Sequence, residues 1–366
     1  MPLTRLRPAA LASIALVAIL ALSGCQAAAG HGSSEGDATP PLADVTPLAD
    51  ARDWQGPTTA VAASDPIEPV TTGDVTLPVT VTDSQGTSVT VTDTSRVLAL
   101  DIYGSLSRIV FELGLGDNVV GRDVSSGFAE IADRPLVTQN GHDLNAEAIL
   151  ELNPTVILTD TSLGPWDTIL QMREIGIPVV VVDAHRSIDE IDTLITSVAT
   201  ALGVPERGAE LAQRTDEVVA AKVAEIAEIA PADPADRLRM IFLYVRGQSG
   251  VYYLFGEESG ADTLIEALGG IDVAGENGWV GMRPMTAEAL AAANPDVILM
   301  MTKGLESVGG VEGLTEHIPA VAQTTAGKNQ RIVDMSDSTI LSFGPHTAGV
   351  LDALAVALYA PEEASR

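Results

Sequence analysis

Tyr244 and Arg246 stand two residues apart in the apolar run RLRMIFLYVRG, Arg237 to Gly247. On a β-strand, residues i and i+2 leave from the same face. A guanidinium beside a phenol stabilises the phenolate, so the pair could supply an anionic metal ligand. The same spacing also describes a core tyrosine with an arginine snorkelling past it, and the pair alone leaves both readings open. Tyr252 and Tyr253 follow on the next apolar run and, being adjacent, can send only one side chain to that face; Tyr253 is the fallback ligand. Tyr103 ends an earlier strand and could touch a ligand. His185, His317 and His31 have no partners in sequence, and Trp166 and Trp279 could flank a cleft or merely pack. No Gly-x-Ser-x-Gly elbow, phosphate-binding loop or His-Glu-x-x-His pair occurs, so the sequence signals of common hydrolases, nucleotide enzymes and zinc proteases are missing.

The elements that must position these residues are announced by a repeat. NAEAILELNPTVIL (Asn145 to Leu158) returns as TAEALAAANPDVIL (Thr286 to Leu299), offset by 141 residues. Each copy has a capping residue (Asn145, Thr286), a short Ala/Leu helix, an Asn-Pro stop and an apolar strand. Two αβ units so far apart predict two similar lobes with a ligand cleft between them. RVLALDIY (96–103), NVVGRD (118–123) and IPVVVVD (177–183) read as further strands of a parallel sheet, with a helix over Ser105 to Leu113. RLRMIFLYVRGQSGVYYLFG (237–256) reads as strand, turn, strand. Between the lobes, helical spacing runs from Ile188 to Leu202, then from Glu206 to about Ile229 with no internal proline. The second piece would be about 35 Å long, a stiff connector suited to small openings. The expected architecture is α/β: two Rossmann-like lobes with parallel sheets, 75–205 and 231–366, joined by a backbone helix over 206–230.

The amino terminus sets the expected address. Arg5 and Arg7 precede an apolar run, Ala9 to Leu22, too short to span a bilayer and shaped like a secretory signal. It ends in Leu22-Ser23-Gly24-Cys25, which resembles a lipobox, so 1–24 reads as a lipoprotein signal peptide and Cys25 as the lipidated residue. Cys25 is the sole cysteine, which excludes an internal disulfide. From Gln26 to about Pro69 the chain is small, polar and aperiodic, and 25–74 reads as a disordered tether that includes Trp54. Val75 to Asp93 alternates around Gln85-Gly86 as a hairpin. The net charge of −30 and the lack of any basic cluster exclude the electrostatic footprint of a nucleic-acid binder.

Lipobox, tether, two αβ lobes and a long connecting helix resemble the substrate-binding lipoproteins of iron-complex, haem and corrinoid ABC importers, the class with a helical backbone. Within that family NGHDLNAEAI, FLYVRG and MTKGLESVGG look like the haemin-binding lipoproteins of actinobacterial haem uptake. The resemblance implies a monomeric binding protein rather than an enzyme, held at the outer face of the cell membrane. Its cargo would be ferric haem b, taken from a haem source or donor protein and passed to a permease and its ATPase. It implies His142 and Tyr244, one from each lobe, as axial ligands. It also implies Arg246 hydrogen-bonded to Tyr244, and Met301 lining the cleft. Imidazole and phenolate are both known haem ligands. Arg122, Arg283 (the repeat counterpart of His142) and the Gly344-Pro345-His346 helix start are candidates for the propionates.

The chain departs from the family pattern at two places. Gram-negative haem binders usually ligate through a tyrosine in the loop after the second strand, where this chain's only aromatic is Phe128, which has no donor atom. Importers of this class commonly dock through an acidic residue on each lobe. The first-lobe position here is Arg108, while Asp262 and Glu266 are available on the second. The alternative cargo within the same fold is a ferric siderophore or a corrinoid. A siderophore would want several cleft cations, and the chain has three lysines, Lys222, Lys303 and Lys328.

Overall fold

The computed structural model describes residues 38–364. Cys25 and His31 lie outside the described residues. Among the described residues no helix is long and apolar enough to cross a membrane.

The expected disordered tether is replaced, from Ala38 on, by a built-in strap. Strand β1 (Thr58–Ala60) adds in parallel to the edge strand β14 (Ile332–Met335), with Thr58 opposite Val333. Leu42, Ala51, Ala60 and Val70 are buried. The strap then crosses to the first lobe, where Val70 N donates to Glu112 O at 2.7 Å and Asp65 pairs with Arg108 at 2.8 Å. Its composition cannot build a core of its own. It uses the cores of both lobes instead, and a free sheet edge satisfies its backbone.

The first lobe carries the hairpin of β2 (Val79–Thr82) and β3 (Ser88–Val91), turning through Gly86 at φ +77°. A three-stranded parallel sheet follows, ordered β4 (Val97–Leu100), β7 (Val156–Thr159), β8 (Val179–Val181); all eleven residues of these strands except Thr159 are apolar, and all are buried. NVVGRD is not a strand. Val120 N bonds Val97 O while Arg122 N bonds Pro135 O, so the segment switches neighbours and sustains no ladder with either. A small hairpin, β5 (Thr138–Gln139) and β6 (Asp143–Leu144), leads into the first repeated helix, Ala146–Glu151.

One helix, Pro205–Ile229, joins the lobes, with proline at its first turn as helix sterics favour. It packs on Ile191–Ala201 and on the C-terminal helix Thr347–Tyr359.

The second lobe is a seven-stranded mixed sheet. Its central path runs β1-β14-β13-β9-β10-β12, with β9 Arg239–Arg246, β10 Val251–Phe255, β12 Met282–Pro284 and β13 Val297–Met301; β11 (Ile271–Asp272) pairs beside β9. Strand β10 runs antiparallel to both of its neighbours, β9 and β12, so this sheet is parallel only in part. The repeat is structural as well as sequential: Asn145 caps Ala146–Glu151 and Thr286 caps Ala287–Ala293. Asn153 and Asn294, each before proline, take left-handed φ of +47° and +39°. Asparagine tolerates that region, which ends both helices by the same backbone move.

Candidate functional site

Strand register sorts the second lobe's side chains by face. Tyr244 and Arg246 share one, as the spacing requires, and Tyr253 lies directly opposite Tyr244 in the antiparallel pair. Met301 belongs to the same face, since β13 pairs with β9 through Leu299 and Phe242. Tyr252 and Trp279 pack against the core of the other face. So does the register position of Arg283, which is opposite Leu254; its side chain is exposed on the edge strand. Arg283 is thus not brought to Tyr244.

Tyr244 is half-buried in an aromatic stack, its ring 6.0 Å from Phe255, which in turn stacks on Phe242 at 5.0 Å. Arg246 does not hydrogen-bond the phenol, contrary to expectation. Its guanidinium lies over the ring, 4.6 Å from the centroid. The fork is committed elsewhere: Nη2 donates to Asp337 Oδ2 at 2.7 Å and reaches Met301 Sδ at 3.9 Å, and Nη1 donates to Val245 O at 2.9 Å. The Tyr244 hydroxyl takes no hydrogen bond from the described residues, which leaves its oxygen free to meet a ligand.

His142 arrives from the first lobe. It is the third residue of the β5–β6 turn, after Asn140 and Gly141 at φ +49° and +94°. An Asn-Gly pair supplies both left-handed residues that such a tight turn needs. The imidazole is exposed, yet it sits within electrostatic reach of Arg246, Asp337 and Lys303 of the second lobe. Desolvation first, then the Arg246 charge, lowers its pKa, with Asp337 opposing. A ring so held stays neutral at pH 7, the form that can donate an electron pair to a metal. Tyr244, Arg246 and Met301 thus share one face of the second lobe, and the charges of Arg246, Asp337 and Lys303 there reach His142 of the first.

The remaining candidates go elsewhere. Arg122 turns its Nη1 onto the carbonyls of Asp123 and Ser126, both at 3.3 Å. His346 precedes the C-terminal helix with Nδ1 buried and unpartnered; burial, then the charge of Arg108, pushes its pKa down to about 3, so it offers no cation. Arg108 is itself buried between Asp65, Glu112 and the ring of Phe128. Asp262 Oδ2 accepts from Glu258 N, and Glu266 is exposed. Trp166 packs in the first lobe's own core, and Trp54 donates its indole N–H to Gly56 O within the strap. His185 and His317 are exposed.

Sequence reading missed a buried ion cluster at the C-terminal ends of β4, β7 and β8. Arg186 Nη2 bonds Asp160 at 2.7 Å and Asp101 at 3.3 Å, with all three side chains at most 1% exposed. Asp123 accepts from the backbone of Asp101, Ser125 and Ser126. Desolvation raises the pKa of Asp101 to about 7 and of Asp123 to about 6. The guanidinium also covers the Tyr103 ring at 5.1 Å. Asp101 and Asp160 each follow an apolar strand, a signal that marks strand ends and says nothing of which arginine folds back on them. Among the described residues no His/Cys/Asp/Glu group of three or more could hold a bare metal ion.

The family described as periplasmic binding protein matches residues 102–339. The chain is similar to the uncharacterized ABC transporter substrate-binding lipoprotein YvrC of Bacillus subtilis (strain 168), at 24% identity over 290 residues, 77% of this chain and 86% of that protein. Among solved structures it is similar to heme binding protein HmuT, at 44% identity and a TM-score of 0.79, over 85% of this chain and 99% of that one. It is also similar to the periplasmic heme-binding protein RhuT from Roseiflexus sp. RS-1, at 36% identity and a TM-score of 0.65, over 75% of this chain and all of that one. With the family match running through both lobes and the helix between them, the chain belongs to the periplasmic binding protein family, the substrate-binding components of ABC importers.

Proposed function

We propose that this chain captures ferric haem between its lobes, with His142 and Tyr244 as axial ligands, and delivers it to the permease and ATPase of an ABC importer. One observation carries the reading: His142 of the first lobe lies within electrostatic reach of Arg246, which covers the Tyr244 ring on the second, and of Asp337, which pairs with that arginine. A neutral imidazole and a phenol oxygen without a hydrogen bond, offered from opposite walls, suit the two axial positions of a flat iron macrocycle, and an anionic oxygen favours Fe(III). HmuT and RhuT are named for haem binding. HmuT has also been solved as alanine variants at an arginine, a histidine and a tyrosine, the residue types that meet here.

The site is poor in free cations, which argues against a polyanionic siderophore. Arg122 is occupied by carbonyls and Arg283 leaves from the wrong face, so Lys303, near His142, is the cation we assign to the propionate edge. Cys25 would carry the lipid that holds the protein at the outer face of the membrane. The chain would bind and release its cargo as a monomer without transforming it.

The test is a haemin titration of the apoprotein. Wild type should give a Soret band and a tyrosinate-to-iron charge-transfer band. Tyr244→Ala should abolish the latter and speed haem loss most, and His142→Ala should alter the spectrum less. If both variants keep the wild-type spectrum, the ligand assignment is wrong. If haemin does not bind but a ferric siderophore or a corrinoid does, the cargo is wrong.

A further inference from the structure

The chain contains two Asn-Gly pairs, Asn140-Gly141 and Asn277-Gly278, and both are exposed. They differ in how their reactive atoms are engaged. At the second pair, Gly278 N donates to Gly275 O at 2.7 Å and Asn277 Nδ2 donates to Val273 O at 2.7 Å, so backbone nitrogen and side chain are both tied down. At the first, Gly141 N donates to none of the described residues. Asn140 Nδ2 reaches only Asp143 Oδ2, at 3.5 Å, beyond the usual range of a hydrogen bond. A Cβ built on Gly141 would meet nothing within 4 Å, so the turn stands in open space. We propose that Asn140-Gly141 is a site of spontaneous deamidation, and that its isoaspartyl product withdraws His142 from the position of an axial ligand.

The chemistry needs no reagent but water. Gly141 N gives its proton to solvent base and attacks Asn140 Cγ; Nδ2 leaves as ammonia, and a cyclic imide joins the two residues. Water then opens the ring. Cleavage of the new N–Cγ bond leaves an ordinary aspartate. Cleavage of the original peptide bond leaves isoaspartate, whose main chain runs through Cβ and Cγ and whose former backbone carbonyl is a free carboxylate. The attack requires the turn to flex, and little resists that. Strands β5 and β6 have two residues each, and so short a hairpin is marginal in water and opens locally at low cost. Asn140 and Gly141 hold φ of +49° and +94°, and His142 completes the turn between the paired residues Gln139 and Asp143. Aspartate tolerates the left-handed region as asparagine does, so the ordinary product keeps the turn. Isoaspartate lengthens the backbone by one carbon ahead of His142, and the Gln139–Asp143 pairing and the imidazole position cannot both be kept. It also sets a new carboxylate beside Asp143.

The modification stands on the turn alone, whereas its effect on cargo rests on the haem reading, and the experiment separates the two. The haem-free full chain is aged in mildly alkaline buffer, mapped by peptide mass spectrometry and labelled with an isoaspartyl methyltransferase. The aged chain is then loaded with haemin, and haem transfer to apomyoglobin is timed. Asn140 should convert while Asn277, the internal control, should not. The aged chain should lose haem about tenfold faster than the fresh one, the lower end of what disturbing a ligand's support costs. Asn140→Gly keeps a turn-forming pair but has no side-chain amide to cyclise, so ageing should leave its transfer rate unchanged. An intact Asn140, or an Asn277 that converts as fast, would overturn the site. A converted chain that holds haem as the fresh one does, while fresh His142→Ala loses it faster, would overturn the withdrawal of His142. If His142→Ala changes neither spectrum nor rate, the ligand assignment has failed and the consequence for haem falls with it, while the mass map still decides the deamidation.

Discussion

At the scale of single residues, what a charge is worth depends on its surroundings. Arg186 is 1% exposed between two fully buried carboxylates, whereas Arg52 makes its pairs with Asp50 and Asp236 in solvent. Breaking a buried pair strands a charge in low dielectric, at about 3–5 kcal/mol, while exposed pairs are screened. Arg186→Gln should therefore lower the free energy of unfolding by about 3 kcal/mol at pH 8, and Arg52→Gln should leave the urea midpoint unchanged within error. The Arg186 loss should shrink at pH 5, because Asp101, with its pKa raised to about 7, can then shed its charge by protonation. Equal losses at the two pH values would mean that the arginine acts by packing alone. The same contrast explains what was legible in the sequence at this scale. The Tyr244–Arg246 spacing survives because strand geometry fixes it locally, whereas the partners that complete the site, Asp337 and Lys303, are 91 and 57 residues from Arg246 and are joined to it only by the fold.

At the scale of elements, the repeated αβ units, the hairpins and the joining helix were readable because each is specified by its own caps, period and stops. The strap and the NVVGRD segment were not, because their structure comes from neighbours: one borrows a sheet edge, the other alternates between two partners. The joining helix has a second device that periodicity hides. Gly208 is buried against Ile191–Ala201, and a Cβ built there would lie 2.4 Å from the Ala199 Cβ. In an exposed helix Gly→Ala gains about 1 kcal/mol through propensity. Here the overlap pushes apart two packed helices, and overpacking costs about 1–3 kcal/mol. The steric effect should win, so Gly208→Ala should lower the melting temperature. A rise would show that the helices separate without penalty and that the connector is less rigidly seated than its packing implies.

At the scale of the whole molecule, the balance of titrating groups sets the pH at which the fold is most secure. Desolvation raises Asp101 to about 7 and Asp123 and Asp272 to about 6, from an unfolded value of 3.8. A raised acid binds its proton more tightly when folded, so its contribution is full below the unfolded pKa and is lost as pH climbs through the folded one. His346 opposes them: lowered to about 3 from 6.5 by burial, it remains neutral when folded and costs stability as pH falls below 6.5. Three acids outweigh one histidine between pH 5 and 8. The net charge of −30 adds to their side, since self-repulsion grows as carboxylates ionise. The apoprotein should thus be more stable at pH 5 than at pH 8, by on the order of a few kcal/mol, measured as urea midpoints at constant ionic strength. Asp101→Asn should narrow that gap by removing the group with the largest rise. A midpoint that is higher at pH 8 would show that these carboxyls reach water or cations in the folded chain, and that the first lobe's strand ends are far less enclosed than their packing requires.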